Sequence, residues 1–475
     1  MRLLRKLAIL LGIVCVLAVG VLYLAWRSHV WQAQDELAQV LALTDQADPG
    51  WRLEQLEAPE TEPSAGAGPT DLDLLLAAVQ VSPKLPWPYW SFPEYANDPE
   101  TSNLARRAMR TSLSNVHRIH RFNPTQIRVL KSELDRAAPA LSKLHKILEA
   151  PKAHLTSANP NGELLRSGGD FSLLMMLDLE ASLNAHDQKM QEAINNLQTI
   201  LAIARITNET PDLRTQIHWM GTLSHTVIQS IQRVLALGEA SEIDLAHLQN
   251  ELEQAARVPR LLTGLRGDRA RVDAILEQVQ EDTMSVGQAC SELSHCEILL
   301  NSGKKGAEFR VHLYLDVVHE RAEFLRACIP ILELARMDRA ARDRLLAQRA
   351  SATSSPASSG AALVPLDPSV YSGFQKQLFK DDSRFQTTMQ AAVAAVAAER
   401  YRLKHGFWPQ KLADLVPQFL KQVPFELERL PGAKLIQDDG NFKVGIVLLY
   451  ESRKRRQPPM PWTFTPKPTS AASQQ

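Results

Sequence analysis

A chain of 475 residues, 45% hydrophobic and 22% charged, has the composition of a globular protein of about three folding units at roughly 150 residues each. Lysine and arginine number 53 and so do aspartate and glutamate, so no net field draws nucleic acid to the surface, and none is expected as a partner. Aromatic residues make up only 6%, which argues against an all-β protein and for a mainly α one.

The first element in the chain is the uncharged run between Leu7 and Trp26. At 1.5 Å per residue it is long enough to cross a hydrocarbon core about 30 Å thick, and it predicts a single transmembrane helix. Arg2, Arg5 and Lys6 precede the run, whereas only Arg27 follows before Asp35 and Glu36. The positive-inside bias then places the N-terminus in the cytoplasm and the bulk of the chain outside it. Ala18 and Gly20 have the spacing of a signal-peptide cleavage site, but the apolar run continues past them to Tyr23 and Trp26, which suit an interfacial aromatic belt, so a retained anchor is expected. The lipid bilayer is thus one expected partner.

Beyond the anchor (1–27), residues 28–100 comprise a juxtamembrane helix, a linker and a strip of prolines and aromatics. Ser28 to Thr44 reads as helix, broken by Asp48, Pro49 and Gly50. Residues 58–69 have linker composition, and a short helix is predicted from Asp71 to Val81. Pro83, Pro86, Pro88 and Pro93 then alternate with Trp87, Tyr89, Trp90, Phe92 and Tyr95, an extended strip that either packs on the body or binds a protein partner.

Residues 101–348 carry the helical periodicity. Leu183, Met190, Ile194, Leu197, Leu201 and Ala204 recur at the spacing of one helical face, and Leu213, Ile217, Met220, Val227, Ile231 and Val234 repeat the pattern. Gly238 reads as a left-handed cap, and Ser241 as the opening of the next helix. No fixed-period repeat is legible, which predicts an irregular antiparallel bundle or array. Residues 349–368 form a second linker. A small α+β domain is expected over 369–451, with a helix from Phe385 to His405, a turn at Lys411 to Leu415, and a β-hairpin from strands at 433–436 and 442–450. Residues 452–475, with Arg453, Lys454, Arg455 and Arg456 followed by prolines, are expected to be a disordered tail.

Three segments carry a family resemblance: Asp48-Pro49-Gly50-Trp51-Arg52-Leu53-Glu54, the stretch from Arg233 to Ser241 leading to Leu245, and the stretch from Ala398 to Pro409 followed by Leu412, Asp414, Leu415, Val416 and Pro417. Through them the chain resembles uncharacterised membrane-anchored proteins of planctomycete bacteria, a likeness that implies location in a bacterial cytoplasmic membrane and brings no activity with it. The third segment is also similar to the helix and loop of pseudopilin head domains in type II secretion. Two departures count against a pilin role. No Gly-Phe-Thr-Leu-Ile-Glu type processing site precedes the anchor, and Phe425-Glu426-Leu427-Glu428 replaces the Asp-Pro-Phe loop.

Chemistry-bearing patterns are few. His117 and His120 lie three apart but among Arg110, Arg118 and Arg121, a setting that opposes a dication. His218 with His225, and His312 with His319, lie seven apart, too far for one ion. His319, Glu320 and Glu323 fall short of the zinc peptidase helix, which needs a second histidine at the position of Glu323. Gly303-Lys304-Lys305-Gly306 lacks the spacing of a phosphate loop, and pairs such as Glu251 with Glu253 or Asp381 with Asp382 are ordinary on helix surfaces. Cys290, Cys296 and Cys328 bear no catalytic signature; any two of them could pair. No catalytic, cofactor-binding or metal residue is therefore expected, and no cofactor. The sequence reads best as a single-pass interaction or scaffold module of the cell envelope with a protein partner there. A component of a secretion or pilus-like machine and a hydrolase of envelope polymers are the alternatives.

Overall fold

The computed structural model describes residues 2–56, 70–81, 122, 124–150, 169–206, 211–293, 316–352, 373–424, 427, 436–438 and 441–443; for residues 2–16 it describes the backbone alone. Fourteen helices run in chain order among them: α1 (Arg2–Ala47), α2 (Leu53–Leu56), α3 (Asp71–Val81), α4 (Pro124–Leu144), α5 (Gly169–His186), α6 (Met190–Ile206), α7 (Leu213–Thr222), α8 (Ile228–Leu237), α9 (Glu242–Arg257), α10 (Arg260–Gln280), α11 (Val286–Leu293), α12 (Val317–Arg336), α13 (Arg339–Ala352) and α14 (Gly373–His405). The protein is mainly helical, as its composition predicts. The chain divides into two compact units, one made of Met1–Ala58, Pro211–Arg214 and Leu261–Phe379, the other of Pro59–Thr210, Thr215–Arg260 and Lys380–Gln475.

In the first unit, α1 and α12 pack side by side. His29 meets Asp316, Glu36 meets Arg326, and Asp48 meets Arg336, so residue numbers rise together and the helices are parallel. Ala33, Leu37, Val40 and Thr44 are buried at intervals of four, three and four, the seam spacing of a packed helix pair. Leu37 and Val40 share a cluster with Ala322 and Leu325 of α12, Ala270 of α10, and Trp51. The break after α1 falls where Asp48, Pro49 and Gly50 predict it, and Gly50 takes the left-handed conformation at φ 74°. Inside this unit α10 passes so close to Pro211 that a Cβ on Gly267 would stand 1.9 Å from the Pro211 carbonyl oxygen.

The second unit is built on one hydrophobic cluster drawn from α3, α4, α5, α6, α7, α8, α9 and α14. Residues 391–398 of α14, nearly all alanine, are buried there, because a helix face without bulk can approach its neighbours closely. The sequence reading places this helix in a domain of its own; its apolar residues belong to the cluster of the helical body. The cap residues follow the sequence at Ser241, whose hydroxyl accepts from the Asp244 amide at 3.1 Å, and at Gly406, left-handed at φ 79°.

Four expectations need correction. Gly238 ends α8 in an extended conformation, φ −152° and ψ 176°, not a left-handed one. A Cβ there would lie 2.1 Å from the Met190 sulfur, so the flexible Met190 side chain would have to move to admit one. The face that starts at Leu183 spans two helices, because the chain turns at Gln188, left-handed at φ 64°, before Met190 opens α6. The face from Leu213 to Val234 is likewise interrupted by one π-helical turn at Leu223–Val227. Finally, only a short piece of the predicted β-hairpin is described, with strand bounds that differ from those expected. Ile436–Asp438 and Asn441–Lys443 pair antiparallel over three residues each, and the rest of the predicted strands, with the 439–440 turn, lies outside the described residues.

Among the described residues no helix is long and apolar enough to cross a membrane. The side chains of residues 2–16, which include the first half of the predicted anchor, lie outside that description. The linker at 58–69, the aromatic strip at 83–95, most of 349–368 and the tail at 452–475 lie outside the described residues as well, although α13 carries helix as far as Ala352.

Candidate functional site: the arginine-bound turn after the first helix

The most elaborate polar construction in the first unit surrounds Asp48, the residue that ends α1. Only 4% exposed, it accepts hydrogen bonds from Arg266 Nε at 3.0 Å and from Arg269 Nη2, and forms an ion pair with Arg336 Nη2. Arg266 also donates Nη2 to the carbonyls of Pro49 at 3.4 Å and Gly50 at 3.3 Å, and Arg336 donates Nη1 to the Ala47 carbonyl at 2.6 Å. The carbonyls left over at the end of α1 are thus satisfied by guanidinium groups, which also suit the negative end of a helix.

Trp51 seals the turn. It is 1% exposed, donates Nε1 to Asp45 Oδ1 at 2.7 Å, and has the guanidiniums of Arg269 and Arg52 over its ring at 4.7 and 5.0 Å. Burial pulls the Arg269 guanidinium below its ordinary value, against the opposing pull of Asp48 and of nearby Cys328. Next to this turn, Arg321 of α12 forks onto Asp273 of α10 and reaches Glu277 at 2.9 Å and Gln280 at 3.1 Å.

Chemically this site is closed. A carboxylate with both oxygens occupied by guanidiniums cannot act as a base or nucleophile. What it does is mechanical: three arginines from two helices hold the end of a third.

The second unit has its own polar joints. Asp178 accepts from Ser230 Oγ and is opposed by Arg233, and burial pushes its carboxyl up from the ordinary range. His145 Nε2 lies 2.8 Å from Glu180 Oε2, and that hydrogen bond raises the imidazole against the opposing effect of burial. Arg400 bonds Glu242 at 2.7 Å and Gln249 at 2.9 Å, while Gln249 donates to the Phe419 carbonyl at 2.8 Å. Arg402 joins Glu239 at 2.9 Å and Glu399 at 2.7 Å. The stretches around Glu239 and around Arg400, singled out separately in the sequence, are therefore bound to each other.

Of the histidine and carboxylate patterns weighed in the sequence, His319 sits between Glu36 at 3.5 Å and Glu323 at 3.4 Å, in a contact between α1 and α12. Glu251 faces Arg205 at 3.7 Å, and Glu253 faces Arg257 at 3.4 Å. Cys290 and Cys328 are both free thiols, so they do not pair with each other, and burial pushes Cys328 up to about 12. His117, His120, His312, Cys296, the 303–306 loop and the 453–456 basic run lie outside the described residues. Among the described residues no three His, Cys, Asp or Glu side chains stand together to hold a metal. The Asp48 site itself was not legible as chemistry in the sequence, since its arginines lie more than two hundred residues away.

No protein-family model matches the chain. Neither the search of curated proteins nor that of solved structures found a match.

Proposed function

We propose that the protein is a single-pass bacterial membrane protein, anchored by residues 7–26 with its N-terminus in the cytoplasm. Its helical units act outside the cytoplasmic membrane as an interaction scaffold of the envelope. The observation that carries this reading is a change of environment along one unbroken helix. Leu17, Val19, Val21, Tyr23, Leu24 and Trp26 are all between 51% and 66% exposed, and together with Ala18, Gly20 and Ala25, exposed as well, they take in every face of α1. From Ala33 onward the same helix buries one face only. A protein partner covers one side of a helix; an apolar surface all the way round calls for a medium that surrounds it, which is lipid.

The scaffold part of the reading rests on the polar groups. The charged clusters of both units tie helix to helix, and the guanidiniums around Asp48 fasten the anchor helix to the first unit without a flexible joint. Such a construction transmits position rather than performing chemistry. Protease treatment of intact spheroplasts tests the orientation: cleavage of the body from outside, with the protein retained in membranes after carbonate washing, is the expected result. A body protected from protease, or a protein released by the wash, overturns the reading. Crosslinking in cells and mass spectrometry then identify the envelope protein it holds.

A further inference from the structure

Arg27 stands at the point where α1 changes environment. Arg27 donates Nη1 to the Tyr23 hydroxyl at 3.2 Å, and its guanidinium lies 5.0 Å from the centre of the Trp31 ring. Trp26 stands beside Tyr23 with ring centres 6.1 Å apart. All four side chains are exposed, and among the described residues Arg27 forms no ion pair. Its histidine neighbour in sequence, His29, is instead engaged with Asp316 at 3.4 Å.

We propose that Arg27, held between Tyr23 and Trp31, binds the phosphodiester of a membrane phospholipid and so fixes how far α1 enters the bilayer. This rests on the anchor reading given above and names the ligand at its outer end. Three physical points support the lipid phosphate. A planar guanidinium with free donors matches two phosphate oxygens at once. Tyrosine and tryptophan favour the zone where a bilayer meets water, because each has an apolar body and a polar tip. The collar also sits between the all-round apolar stretch ending at Trp26 and the one-sided packing that begins at Ala33, which is the level where phosphates must lie if residues 7–26 fill the hydrocarbon.

A lipid phosphodiester and free phosphate offer the guanidinium the same oxygens, and the bilayer holds the lipid at the level of Arg27. Full-length protein is reconstituted in phosphatidylcholine nanodiscs with a spin label at position 20 or 34, and label depth is read from the balance of oxygen and nickel-chelate collisions. Arg27→Leu is expected to shift both labels deeper by about one helical turn, roughly 5 Å. Arg27→Lys is expected to recover only part of the wild-type depth, because an ammonium cannot take two phosphate oxygens at once, and inorganic phosphate added to the wild type is expected to leave it unchanged. Equal depth in wild type and Arg27→Leu overturns the proposal while leaving the anchor intact. A depth that follows added free phosphate assigns Arg27 to a soluble anion and also overturns it. A label at position 20 that meets no lipid even in the wild type overturns the anchor reading itself.

Discussion

Arg321 and Asp273 meet through two parallel hydrogen bonds, Nε to Oδ1 at 2.6 Å and Nη2 to Oδ2 at 3.0 Å, with both side chains buried. Burial pushes Asp273 up from the ordinary carboxylate range, while the hydrogen bonds from Arg321 oppose that shift. Removing one partner leaves the other charged and uncompensated. Arg321→Ala is therefore expected to destabilise the protein by about 3–5 kcal/mol, measured by urea unfolding. Arg321→Lys is expected to recover only part of this, because an ammonium cannot make the fork.

Asp48→Ala removes the common partner of Arg266, Arg269 and Arg336, and Arg269 is 1% exposed. A cost of the same order, about 3–5 kcal/mol, is expected. The specific sign is local: hydrogen exchange of amides at 33–48 accelerates more than that of α5 and α6, because the fastening of α1 is what is lost.

His145 gives a pH dependence. Its imidazole is raised above the ordinary 6.5, first by the Glu180 hydrogen bond. A raised histidine contributes stability that is fully present below about 6.5 and is lost as pH rises through the folded-state value. His145→Gln is thus expected to be less stable than wild type at pH 5.5, with the gap narrowing by pH 8.5. Urea midpoints at the two values check it; a gap that widens with pH contradicts the assignment.

Cys328 and Cys290 differ in reactivity by environment. Cys328 is buried with its thiol pushed up to about 12, whereas Cys290 is half-buried. Maleimide is expected to label Cys290 in the native protein and Cys328 only after unfolding, as mass spectrometry of digests will show.

Local features of the fold were legible where one residue dictates them. The helix over 71–81 follows its apolar run, the end of α1 follows Asp48, Pro49 and Gly50, and the opening of α9 follows Ser241. The start of α14 at Gly373, twelve residues before Phe385, was hidden because its first turns carry too few apolar residues to show a period. Gly238 ends α8 as its sequence suggests, but in an extended conformation and against the Met190 side chain, which no local rule reveals. The Asp48 cluster and the pairing of Arg400 with Glu242 depend on contacts 158 or more residues apart, which spacing along the chain does not encode.

The change of environment along α1 is the centre of the account, and a scan of single spin labels from Leu17 to Val40, in full-length protein in nanodiscs, tests it most directly. The predicted profile has high oxygen accessibility without periodicity through Trp26, then a 3.6-residue alternation between buried and water-exposed positions from Ala33. Water accessibility at every position from Leu17 to Trp26 would contradict the membrane anchor, and with it the placement of the protein in the envelope.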